Sequence, residues 1–198
     1  MNQYFENNEL LDSKIRTINY KCQDNDFVFF SDLGIFSKDH IDYGSMILVE
    51  TILSNEKKYD QILDVGCGYG YIGIVLSKIL GANVTMIDIN ERAVQMCQKN
   101  IKENKVNGVA LISNIYEKVK DNYDLIITNP PIRAGKETVL EILVGAKKRL
   151  SINGELWFVI RKNQGARSIA KNLENIYKID IIKKSKGFYI FSAKSIDN

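Results

Sequence analysis

The sequence predicts an α/β chain: a doubly wound, mostly parallel sheet of seven strands with an antiparallel C-terminal edge hairpin and a small N-terminal extension. Three observations predict it. Short apolar runs alternate with helix-length stretches from residue 61 to residue 162, glycines crowd the first strand-to-helix junction, and the tail holds two strand-like runs joined by a tight turn. Such alternation implies parallel strands whose crossovers cover both faces of the sheet.

The elements follow in order. KIRTINYKC and DFVFFSD are β-like runs, followed by a loop GIFSKDHIDYGS and a helix-like SMILVETILS. QILDVG at 61–66 is a short apolar strand ending in glycines, and YIGIVLSKIL at 71–80 reads as a helix by length and spacing. NVTMID at 83–88 is the next strand. In ERAVQMCQKNIKEN at 91–104, Ala93, Val94, Cys97 and Ile101 form one apolar stripe of a helix. VALIS at 109–113 and DLIITN at 124–129 are further strands. KETVLEILVGAKKRL at 136–150 is an amphipathic helix stopped near Asn153-Gly154, and ELWFVIRK at 155–162 is a strongly apolar strand. A helix is expected at 165–175, and YKIDIIKKS and GFYIFSAK then pair as a hairpin about Lys186-Gly187.

The 198 residues suit one domain, with 1–55 as the extension and 56–198 as the core. Hydrophobic residues at 45% and charged residues at 26% exclude a disordered or collagen-like chain. Cys22, Cys67 and Cys97 are scattered without a CxxC, and His40 is the single histidine, so neither a zinc site nor a disulfide framework is expected. No metal is predicted. The polar start MNQYFENNELLDSKIR has no apolar h-region, and no stretch approaches the ~18 apolar residues of a membrane span. A reduced, cytoplasmic location away from any membrane is the expectation. The formal net charge is +3, yet residues 1–132 carry 13 basic and 18 acidic side chains while 133–198 carry 14 basic and 6 acidic. The basic remainder suits a polyanionic partner.

Asp64-Val65-Gly66-Cys67-Gly68-Tyr69-Gly70 lies where the first core strand turns into a helix. Glycines there permit a tight turn and close approach of backbone to a ligand at a helix N-terminus. A dinucleotide is one candidate, since Asp88 ends the next strand where an acid grips ribose hydroxyls. Against it, the third glycine of G-x-G-x-x-G falls at Tyr71, and Asp64 puts a carboxylate where a pyrophosphate is already negative. An acid there better suits S-adenosylmethionine, with its ammonium and sulfonium.

The fourth core strand ends in Thr128-Asn129-Pro130-Pro131-Ile132, which contains the chain's only two prolines. In an open parallel sheet ligands lie beyond the carboxyl ends of the strands, so Asp64 and Asn129 are expected at one crevice. An exocyclic base amine is a poor nucleophile because its lone pair is delocalised. The Asn129 amide oxygen and the Pro130 carbonyl can accept its two N–H bonds and align the nitrogen with a sulfonium methyl, so that catalysis is orientation and electrostatics.

The Asp64, Gly66, Gly68, Gly70 pattern resembles the D-x-G-x-G-x-G motif of the class I S-adenosylmethionine-dependent methyltransferases, which implies a Rossmann-like fold. The resemblance assigns Asp88 to the ribose, Asn114 to the adenine amine, and Ile89 and Asn129 to the cofactor surface as well. Asn129, Pro130 and Pro131 resemble the catalytic [N/D]-P-P-[Y/F/W] signature of amino-group methyltransferases, with Ile132 in place of the aromatic. Phe36, Tyr43, Phe188 and Tyr189 are then the candidates for stacking on the base. GIFSKDHIDYGSMILVE at 34–50, ILDVGCGYGYIGI, TNPPIRAGK at 128–136, VIRKNQGARS and KGFYI together resemble short members of the bacterial small-subunit rRNA guanine-N2 methyltransferase family, whose larger members carry a second, degenerate copy of the domain.

That family implies RNA, rRNA or a small ribosomal subunit, as partner. Arg133 and Lys136 after the corner, and Arg161, Lys162 and Arg167 after the fifth core strand, are candidates for a phosphate track, extended by Lys183, Lys184 and Lys186. Phe36, Ile132, Arg133, Lys136 and Arg161 are the expected substrate contacts. The alternatives are a protein-glutamine or DNA-adenine methyltransferase, a nicotinamide oxidoreductase, and a non-catalytic RNA-binding module.

Overall fold

The computed structural model describes residues 14–32 and 40–196. Strands β1 (Arg16–Cys22) and β2 (Asn25–Ser31) form an antiparallel hairpin. Helix α1 (Tyr43–Leu53) leads into β3 (Gln61–Val65), α2 (Tyr71–Leu80), β4 (Asn83–Asp88), α3 (Glu91–Asn104), β5 (Gly108–Ile112) and β6 (Tyr123–Thr128). Then come α4 (Lys136–Gly145), β7 (Leu150–Arg161), α5 (Ala166–Leu173), β8 (Tyr177–Ser185) and β9 (Phe188–Ser195). Single 3-10 turns lie at Ile132–Ala134, Ala146–Arg149 and Lys162–Gln164.

The main sheet has seven strands in the order β5-β4-β3-β6-β7-β9-β8. The first five are parallel, and β9 pairs antiparallel with both β7 and β8. The last strand in sequence therefore lies inside the sheet and β8 forms the edge. The β8–β9 turn is the two-residue kind that requires positive φ at both positions, and Lys186 (φ 44°) and Gly187 (φ 80°) supply it.

Strand periodicity divides the core into two layers. Ile62, Leu125, Ile127, Trp157, Val159 and Ile190 point to the face covered by α1, α2 and α3. Leu63, Ile126, Leu156, Phe158, Ile160 and Phe191 point to the face covered by α4 and α5. Helix α1, within the N-terminal 55 residues, contributes Ile47, Leu48, Val49 and Ile52 to the first layer.

One boundary differs from the sequence reading. The Asn153-Gly154 signal does not end the helix, which closes at Gly145 and tightens into the 3-10 turn. It marks an irregularity inside β7: Tyr123 pairs with Leu150, but Leu125 pairs with Glu155, so extra residues bulge from the strand. Asn153 has φ 64°, and a Cβ on Gly154 would lie 2.8 Å from the Tyr123 carbonyl oxygen, so glycine permits the approach.

The hairpin is fastened by two asparagines one turn apart on α3. Asn100 Oδ1 accepts from Phe30 N (2.7 Å), and its Nδ2 donates to Phe30 O (2.9 Å) and Tyr69 O (2.8 Å). Asn104 repeats the pattern on Val28 N (3.1 Å) and Val28 O (2.8 Å). The two amides take the place of a neighbouring strand for the open edge of β2.

At the amino end of the sheet, buried Glu155 accepts from Tyr59 Oη (2.9 Å), Trp157 Nε1 (2.9 Å) and Lys57 Nζ (3.0 Å), and pairs with Lys194 Nζ at 3.1 Å. Burial pushes its carboxyl up, but these four donors outweigh burial and bring it down to about 2. A depressed carboxylate contributes stability above its ordinary value that is lost as pH falls through the folded one. Acid titration between about pH 4.5 and pH 2 should therefore cost the wild type roughly 2–3 kcal/mol through this group. Urea unfolding across that range should show a shallower pH dependence in Glu155→Gln, and an unchanged one would refute the assignment.

Candidate active site

The carboxyl ends of β3, β4 and β6 meet at one edge of the sheet. β3 pairs with β6 so that Asp64 faces Ile127, and Asn129 therefore lies level with Gly66. The two loops touch: a Cβ on Gly66 would lie 4.0 Å from Pro131 Cδ, and Thr128 Oγ1 donates to the Val65 carbonyl at 2.8 Å.

Gly66, Gly68 and Gly70 all have positive φ, at 72°, 56° and 91°. They serve different ends. A Cβ on Gly70 would fall 2.6 Å from Cys97 Sγ, which makes this glycine a packing requirement, whereas a Cβ on Gly68 would meet nothing within 4 Å. Gly68 thus lies on the open side of the turn, where a ligand can approach the backbone.

Asp88 binds this turn directly. Its Oδ2 accepts from Gly68 N (2.8 Å) and its Oδ1 from Asn90 N (2.9 Å), and the half-buried carboxylate retains lone pairs for further donors. Burial pushes its pKa up against the pull of those N–H groups. Ile89 follows as an exposed apolar side chain, 45% accessible. Asn114, also exposed, commits its Nδ2 to Glu117 Oε1 (3.2 Å), which leaves its carbonyl oxygen as the acceptor.

Asp64 lies under the turn and does not line its open side, being 1% exposed. One oxygen accepts from Gly73 N (2.9 Å) and the other has no hydrogen-bond partner. Burial, aided by the Asp88 charge and opposed by the Gly73 N–H, pushes its carboxyl up to about 7.

Asn129 is half-buried and its amide orientation is fixed chemically. Nδ2 donates to Asp42 Oδ2 (3.0 Å) and Ser45 Oγ (2.9 Å). A carboxylate only accepts, so the group facing Asp42 is the NH2 and the carbonyl Oδ1 is left as the acceptor. Asp42 is itself the N-cap of α1, accepting from Ser45 N at 2.8 Å. Sequence reasoning missed Asp42, Ser45 and Thr128. The available signal was the Asp-x-x-Ser spacing of an N-cap before an apolar helix.

The expected substrate residues are less uniformly placed. Ile132 is half-buried against the α4–α5 layer and Arg133 is exposed just beyond the corner. Lys136 opens α4 and its ammonium donates to Ser168 Oγ at 3.3 Å, towards α5. Arg161 ends β7 with its guanidinium 4.4 Å from the Phe188 ring centre. Of the stacking candidates, Phe188 and Tyr189 are core residues at 7% exposure each, Tyr43 is half-buried, and Phe36 lies outside the described residues.

Residues 26–192 match the model of the methyltransferase small domain. The chain belongs to that family. This methyltransferase small domain is 38% identical over 198 residues to YbxB, an uncharacterised protein of Bacillus subtilis (strain 168), covering 98% of each. It is 37% identical over 131 residues to ribosomal RNA small subunit methyltransferase C of Serratia proteamaculans (strain 568), covering 64% of this chain and 37% of that protein. The structure is similar to that of a T. thermophilus 16S rRNA N2 G1207 methyltransferase (RsmC) in complex with AdoMet and guanosine, at a TM-score of 0.84 and 23% identity, over 93% of this chain and 52% of that one. The methyltransferase domain thus spans the length of YbxB but only about 37–52% of the length of the two rRNA methyltransferases. Among the described residues no group of side chains could hold a metal ion, and no helix is long and apolar enough to cross a membrane.

Asp64 generates a pH prediction. Its folded value lies above the ordinary 3.8, so its contribution to stability is present at low pH and lost as pH rises through about 7. Between about pH 4 and pH 8 ionisation should cost the free protein on the order of 4 kcal/mol through this group. Denaturant unfolding of Asp64→Asn across that range should be flatter than wild type by most of that amount. Parallel pH curves for the two proteins would exclude the raised value.

Proposed function

We propose that this protein transfers a methyl group from S-adenosyl-L-methionine to an exocyclic base amine of RNA, namely guanine N2 in small-subunit rRNA. The observation that carries the reading is the held amide of Asn129, whose two N–H groups are taken by Asp42 and Ser45. Only an acceptor remains. Pro130 lacks an N–H, so the corner presents acceptors to a donor, as an incoming amine requires. Oδ1 of Asn129 and the Pro130 carbonyl hold the two amine hydrogens and turn the nitrogen lone pair towards the glycine turn, across the contact between Pro131 and Gly66. Neither group takes a proton, so the one released on methylation passes to water.

The residues present fit the cofactor, which when bound supplies an electrophilic methyl on a cationic sulfur. Gly68 leaves open space on the turn for the methionine portion. Asp88 has lone pairs left for ribose hydroxyls, exposed Ile89 offers an apolar face to adenine, and Asn114 keeps a carbonyl for the adenine amine. Ionised beside a cationic cofactor, Asp64 acts on it through its field from under the turn. Gly66 and Gly70 shape the turn, and Ile132, Arg133, Lys136 and Arg161 form the rim over which RNA passes. The rRNA methyltransferases among its relatives and the basic second part of the chain support RNA as substrate. The setting that follows is the cytoplasm.

The test is transfer of labelled methyl groups to an unmodified small-subunit rRNA transcript and to subunits lacking methylation, followed by nucleoside analysis. N2-methylguanosine is expected. Label on adenine N6, on protein glutamine or on nothing would overturn the guanine reading. Asn129→Ala should lower turnover about 100-fold, as for loss of a transition-state hydrogen bond, with little change in cofactor affinity. Asp88→Ala should weaken cofactor binding by about ten-fold or more in calorimetry. Equal effects of both variants on both measurements would contradict the roles assigned.

A further inference from the structure

Beside the Asn129 corner lies a cleft of about 470 Å³ lined by Arg161, Lys162, Asn163, Lys186 and Gly187. It contains three cations and no acid. Among the described residues none of the three is ion-paired, so their charge is left for a ligand. Two are pinned by aromatic rings: the Arg161 guanidinium over Phe188 at 4.4 Å and the Lys186 ammonium over Tyr43 at 4.6 Å. Tyr43 is held by a 2.7 Å hydrogen bond between its hydroxyl and Ser185 Oγ, and Lys162 N donates to Gly187 O at 2.8 Å, joining the two walls. Side chains fixed in this way lose little freedom when they bind.

The cleft is coupled to the catalytic corner by one short segment. Asp42 and Ser45 grip Asn129, while between them Tyr43 packs on Phe188 with ring centres 5.8 Å apart, and a Cβ on Gly44 would lie 2.7 Å from the Phe188 ring. Thr128 pairs with Phe158, so Arg161 stands two residues past the level of Asn129, about 7 Å further along the strand direction. That offset suits a backbone phosphate of a nucleotide neighbouring the target base.

The geometry points to this cleft as a phosphodiester-binding subsite that anchors the RNA strand next to the methylated nucleotide. The inference rests on the RNA reading above and adds where the strand is held. RNA is favoured over a small anion because the cleft is large for one phosphate and holds three cations without an acid.

The test compares Lys162→Glu/Lys186→Glu with Lys148→Glu/Lys178→Glu, which makes the same charge change at the opposite end of the sheet. Binding of a fluorescent unmodified small-subunit rRNA transcript is measured by anisotropy over a range of salt, and cofactor binding by calorimetry as a check on folding. The cleft variant should lose roughly ten-fold in RNA affinity, and its slope of log affinity against log salt should flatten by about 1.4, ~0.7 for each lost single-strand phosphate contact. The control should keep both values, and both variants should bind cofactor like wild type. Equal losses in the two variants, or none in the cleft variant, would overturn the subsite. Absence of methyl transfer by wild type to any RNA would instead overturn the functional reading, and the binding comparison would still judge the cleft.

Discussion

The geometry of the site depends on the buried hydroxyl of Thr128. Where β3 and β6 leave the sheet, the Val65 carbonyl belongs to a residue buried in the interior. Thr128 Oγ1 donates to it at 2.8 Å. The bond is fully enclosed, so no water can replace it without entering the core, and its loss costs more than that of a solvent-exposed bond. It holds the glycine turn and the Asn-Pro-Pro corner side by side, and every other site contact presupposes that spacing. The prolines keep the corner from relaxing, because their φ is fixed and the adjoining backbone has few alternatives.

A second layer of constraint comes from outside the main sheet. Asn100 gives one amide hydrogen to Tyr69 O in the glycine turn and the other to Phe30 O in the hairpin. Asp42, reached from the same hairpin, caps α1 and holds Asn129. The turn and the corner are thus each braced by the chain that precedes β3. This chain adds to the sheet what strands alone cannot supply, namely side-chain donors and acceptors aimed at loop atoms. Precise placement of reacting groups requires such support, since small misplacements are costly when catalysis is orientation.

How much of this was legible in the sequence follows the range of the forces involved. Helices 71–80 and 91–104 and strand 83–88 were read to the residue because their patterns are local and end in Gly81, Lys105 and Asn90, which sit at positive φ or cap a helix. The glycine turn and the Asn-Pro-Pro corner were legible as two loops at one sheet edge, because glycines after an apolar run and paired prolines each end a strand. The bulge at Asn153-Gly154 was not, because a turn signal inside a strand looks the same as one after a helix until the partner strand is known. Asn100 and Asn104 resembled ordinary polar helix residues, and only the arrival of β2 from 70 and more positions away gives them their role. Phe188 and Tyr189 were candidates for stacking on a base, and pairing of β9 inside the sheet buries them instead.

The small net charge of +3 conceals how the site is organised. Asp42, Asp64 and Asp88 cluster at the carboxyl ends of the strands, and Arg161, Lys162 and Lys186 gather one strand further across. For the proposed reaction, a cationic donor and an anionic strand require opposite fields. The fold separates them by using the two sides of the Asn129 corner: parallel strands on one side supply acids at their ends, and the antiparallel hairpin on the other returns the chain to the same edge with its lysines. β8 runs in the same direction as β7, so both strands end at this edge, and the turn from β8 into β9 sets Lys186 beside Arg161 and Lys162. The placement of β8 alongside β7, with a tight turn into β9, is therefore what gathers the three cations at the edge where the glycine turn lies.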